Sequence, residues 1–74
     1  MQTCIALTRV VMGVVKEARD AEGWTVEKTD ETVIITDEYG ALVYKALKKS
    51  ESTWIVRYST EHFEMFDPPE LMNK

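Results

Sequence analysis

From Trp24 to Ser59, polar and apolar residues alternate with a period of two, in four runs parted by short polar connections. The runs are WTVEKT (24–29), TVIIT (32–36), ALVYKAL (41–47) and TWIVRYS (53–59). A side-chain period of two belongs to strands. The connections DE, DEYG and KKSES are too short for a crossover, so each strand must turn back on the one before. The sequence therefore predicts a four-stranded antiparallel meander.

The alternation also assigns faces. One face receives Trp24, Val26, Val33, Ile35, Leu42, Tyr44, Ala46, Trp54, Val56 and Tyr58, nearly all apolar. The other carries Thr25, Glu27, Thr29, Thr32, Thr36, Lys45, Thr53 and Arg57, which suits water. Ile34, Val43 and Ile55 break that polar pattern. With Ile34 opposite Val43 across the DEYG turn, the three are expected to form one apolar spot and a candidate interface.

An apolar sheet face needs a cover. Residues 3–22 supply one: Leu7, Val11, Val14 and Ala18 recur at helical spacing, and Cys4, Val10, Val15 and Ala21 widen the stripe. Thr3 is a candidate N-cap and Gly23 a candidate left-handed stop. Valines and Gly13 weaken a helix, and a strand over 1–7 is the alternative. On the helical reading Ile5 and Met12 share a second stripe away from the core, a possible docking edge. Residues 60–72 read as a short helical segment, with Phe63, Met65 and Phe66 apolar and the prolines of DPPEL in a first turn. The expected architecture is one α+β domain over residues 1–74, in which the C-terminal segment or another chain covers the second sheet face.

Chemistry is sparse. Cys4 lies on the apolar stripe and reads as a small buried hydrophobe. One cysteine and one histidine, His62, do not make a zinc site of the Cys/His kind. His62 also lacks the paired-histidine spacing of a zinc hydrolase and reads as solvent-facing. The three glycines are isolated, so no phosphate loop is present. These readings predict no catalytic residue, no metal and no cofactor; a small enzyme or metal module around His62 is the weaker alternative. The apolar runs are far shorter than a membrane span, and no leader pattern is evident, so a cytoplasmic location is expected.

The acids are the more informative pattern. Net charge is −4. Asp37 and Glu38 in the DEYG turn should lie at the same end of the sheet as Glu61, Glu64, Asp67 and Glu70. No basic face is available for nucleic-acid phosphates. The expected partner is a protein with a basic surface, such as a site that otherwise holds nucleic acid. By size, acidity and lack of catalytic groups the chain resembles small accessory proteins of phages and mobile elements, which implies an inhibitor or adaptor. The alternative is a regulatory or structural homodimer through Ile34, Val43 and Ile55.

Overall fold

A computed structural model describes residues 2–59. The order of elements is β1 (Gln2–Leu7), α1 (Thr8–Asp20), β2 (Thr25–Lys28), β3 (Thr32–Thr36), β4 (Leu42–Lys48) and β5 (Thr53–Tyr58). The strands form one antiparallel sheet in the order β1-β5-β4-β3-β2. The mixed α+β class agrees with the sequence, whereas the expected four-stranded sheet is replaced by a five-stranded one in which β2 to β5 are consecutive neighbours. The helix is shorter than expected, and a fifth strand precedes it. The expected helical segment over 60–72 lies outside the described residues.

The physical reason for the fifth strand is the sheet's need for a neighbour beside β5. Trp54, Val56 and Tyr58 point to the core from β5, and without β1 that strand would be an open edge. β1 pairs with it over six residues, from Gln2 opposite Tyr58 to Leu7 opposite Thr53. Cys4 and Ala6 are buried while Thr3 and Ile5 are exposed, a period of two inside a run that also fits a helix. Short apolar runs are open to both periods, and tertiary pairing decides between them.

α1 then crosses the inner face. Val10, Val11, Val14, Val15 and Ala18 are buried at helical spacing. They pack on Val33, Ile35, Val43, Tyr44, Ala46, Trp54 and Val56. No side chain caps the helix at Leu7. The junction is held instead by Thr8. Its amide donates to the Ser52 carbonyl at 2.9 Å, and its hydroxyl donates to the Glu51 carbonyl at 3.0 Å. The same hydroxyl accepts from the Trp54 indole Nε1 at 3.0 Å. A buried tryptophan is thereby satisfied by the first helical residue. Gly23, at φ 87°, turns the chain into β2.

One irregularity changes the outer face. The β3–β4 register shifts between Ile35 and Thr36: Ile35 faces Tyr44, but Thr36 faces Leu42. The extra residue, Val43, is a bulge, and a bulge reverses the parity of what precedes it. Leu42 therefore turns outward and is exposed, while Val43 is fully buried in the core. Both placements reverse the alternation-based assignment.

Candidate interaction surfaces

The helix covers one side of the sheet. The other side, in the described residues, presents two adjacent rows of side chains. Register places Ile5, Ile55 and Leu47 directly opposite one another across β1, β5 and β4. Ile5 and Ile55 are each 38% exposed, and Leu47 is 45% exposed. The neighbouring row runs Thr3, Arg57, Lys45, Ile34, Glu27. Lys45 and Arg57 thus stand directly opposite each other, a like-charge pair that costs rather than contributes stability.

This face differs from the expected spot in three ways. Ile34 lies opposite Lys45, not Val43, because the loop between Thr36 and Leu42 is one residue longer than expected and the bulge moves the register by one more. Val43 belongs to the core. Ile55 keeps its outward place but meets Ile5 and Leu47. Ile5 is on a strand, across the sheet from α1, so it shares no stripe with Met12; Met12 is half-buried against the core. Leu47 was missed, although its parity with Lys45 in ALVYKAL already placed it outward. Ile5 was out of reach until β1 was known to be a strand.

The acidic end is also rearranged. Asp37 is only 8% exposed. Its Oδ1 accepts from the amides of Tyr39 and Ala41, both at 2.9 Å, and its amide donates to the Ala41 carbonyl at 2.9 Å. Gly40, at φ 82°, completes this turn. Asp37 is therefore a staple of the β3–β4 loop and not an exposed docking charge. Glu38 is exposed, and its Cβ comes so close to Gly23 that a side chain there would meet it at 3.0 Å. That approach seats the β3–β4 loop on the Gly23 turn between α1 and β2, two loops that only the fold brings together. Glu61, Glu64, Asp67, Glu70 and His62 lie outside the described residues.

At the opposite end an open depression of about 330 Å³ is lined by Asp30, Glu31, Lys48, Lys49 and Ser50. Its charges are of both signs, and it has no apolar floor for a small ligand. Cys4 is buried, and burial pushes its thiol above the usual range, away from the thiolate a nucleophile needs. Burial likewise raises the Tyr44 phenol far above its ordinary value, with Cys4 as a smaller contributor. Among the described residues no three His, Cys, Asp or Glu side chains group to hold a metal ion. No described helix is long and apolar enough to cross a membrane. No family model, curated protein or solved structure matches the chain.

Proposed function

We propose that this is a protein-binding module without chemistry of its own, an inhibitor or adaptor that works by occupying a partner's surface with the outer sheet face. The observation that carries this reading is the unbroken row Ile5, Ile55, Leu47 beside the opposed cations Lys45 and Arg57. Neither feature helps the fold: the apolar row lies away from the core, and the like-charge pair opposes stability. Both gain in a complex. The apolar row supplies a contact centre, and carboxylates on the partner relieve the cation pair.

A second reading rests on the exposed Glu38 at the loop that seats on the Gly23 turn, which supports an acidic end that docks on a basic protein surface. One experiment separates the two. Chemical cross-linking in the native host would be compared for Ile55→Glu, Leu47→Glu and Glu38→Lys. Loss of the same cross-linked partner from the first two, with unchanged melting and retention by Glu38→Lys, is the expected result. Loss only from Glu38→Lys would transfer the role to the acidic end, and retention by all three would remove both.

A further inference from the structure

The two edges of the sheet are built differently. β2 is four residues long and carries Glu27 and Lys28, the usual protection of an open edge. β1 is six residues long, QTCIAL, with no charge, no proline and an unbroken register against β5. Among the described residues it shows none of the devices by which strands discourage pairing.

Hydrogen-bond parity tells which groups are offered. The Thr8 amide donates to Ser52, and that pair continues the register of Leu7 opposite Thr53. Bonded pairs alternate along an antiparallel ladder, so Gln2, Cys4 and Ala6 bond to β5. On the other side of β5 the Ser59 amide donates to Val43 and the Lys49 amide to the Thr53 carbonyl, which assigns the odd residues of β5 to β4 and agrees with this parity. The amides of Thr3, Ile5 and Leu7 and the carbonyls of Thr3 and Ile5 therefore point to the open edge, while the Leu7 carbonyl, at the N-cap of α1, turns into the helix.

We infer that β1 of a second copy pairs with this edge, antiparallel, about a two-fold axis through Ile5. This register pairs Thr3 with Leu7 of the second copy, Ile5 with its equivalent, and Leu7 with Thr3. About four main-chain hydrogen bonds result, two between the Ile5 residues and one from each Leu7 amide to the Thr3 carbonyl opposite. On the inner side it sets Cys4 opposite Ala6, two small residues that leave room for the approach. On the outer side it sets Ile5 against Ile5, a favourable β-branched pair. The row Leu47, Ile55, Ile5 then runs across the axis into Ile5, Ile55, Leu47 without a break. A closed two-fold pairing of this kind also consumes the edge, so growth stops at two copies. The joined sheet doubles the five strands of one copy and presents one continuous outer face. This inference is independent of the binding reading above, because its occupant is the chain itself.

The test uses the full chain. Sedimentation velocity over a wide concentration range should show a reversible dimer. Hydrogen exchange should show the Ile5 and Leu7 amides becoming protected as concentration rises. Ile5→Lys places two ammonium groups across the axis at a position that is exposed in the single copy, and should weaken the dimer at least about tenfold, with unchanged monomer circular dichroism. In a Cys4→Ala background, Ile5→Cys should be joined into a dimer by a short thiol cross-linker, whereas Thr25→Cys should not. A chain that stays monomeric throughout, or a dimer indifferent to Ile5→Lys, would overturn the proposal. So would protection of these two amides in the monomer.

Discussion

Replacing Thr8 with valine keeps the shape of the side chain and removes one oxygen. That oxygen joins three parts of the fold. It accepts from the Trp54 indole, donates to the Glu51 carbonyl, and sits where β1 becomes α1. Trp54 is 2% exposed, so its N–H cannot turn to water. An orphaned buried donor costs about 1–3 kcal/mol, and the exposed bond to Glu51 adds about 0.5 kcal/mol or more. The expected loss is therefore about 2–3 kcal/mol. A domain of this size has a total of about 4–11 kcal/mol. Urea denaturation followed by circular dichroism would measure it, with the midpoint falling and the slope unchanged. Thr8→Ser should recover most of the loss. Trp54→Phe removes the donor, so Thr8→Val should cost at least about 1 kcal/mol less in that background. A Thr8→Val variant within about 0.5 kcal/mol of the native chain, or full additivity with Trp54→Phe, would show that the relay does not hold the junction.

Three further substitutions test other parts of the structure. Gly13 lies inside α1 with nothing within 4 Å of where a Cβ would stand, so Gly13→Ala should stabilise by about 1 kcal/mol, read as a raised urea midpoint. Asp37→Ala removes two amide hydrogen bonds from a nearly buried carboxylate and should destabilise by about 2–3 kcal/mol, while Glu38→Ala should leave the melting temperature within a degree or two; equal effects would return Asp37 to the exposed acids.

The order of β2 to β5 was legible because each of these strands carries its own alternation and its own short turn. Trp54, Val56 and Tyr58 declare their face without reference to anything distant. What failed depended on distant or cumulative information. Cys4 and Leu7 extend the helical stripe of Val11, Val14 and Ala18 backward, and only β5 draws them into a strand. The bulge at Val43 leaves no mark in the sequence, yet it decides whether Leu42 or Val43 meets the core. Asp37 looked like one acid of several, because a turn that consumes a carboxylate and a turn that displays one can share the letters DEYG. The outer row was half visible: Ile55 stood out, Leu47 was readable and unread, and Ile5 waited on the correct assignment of β1.

The placement of β1 beside β5 also sets a schedule. β2 to β5 join neighbours in sequence by short turns, so those contacts close small loops at small entropic cost. The β1–β5 ladder joins two strands separated by all of α1, β2, β3 and β4. During synthesis, Gln2–Leu7 emerges before its partner and must wait, unpaired and uncharged, until Thr53–Tyr58 has been made. The same open strand that offers itself to a second folded copy is then at its most exposed, and on neighbouring nascent chains it is a site for premature pairing. Completion of the sheet is thus tied to the synthesis of β5, and chains halted before Thr53 should leave Gln2–Leu7 without its partner.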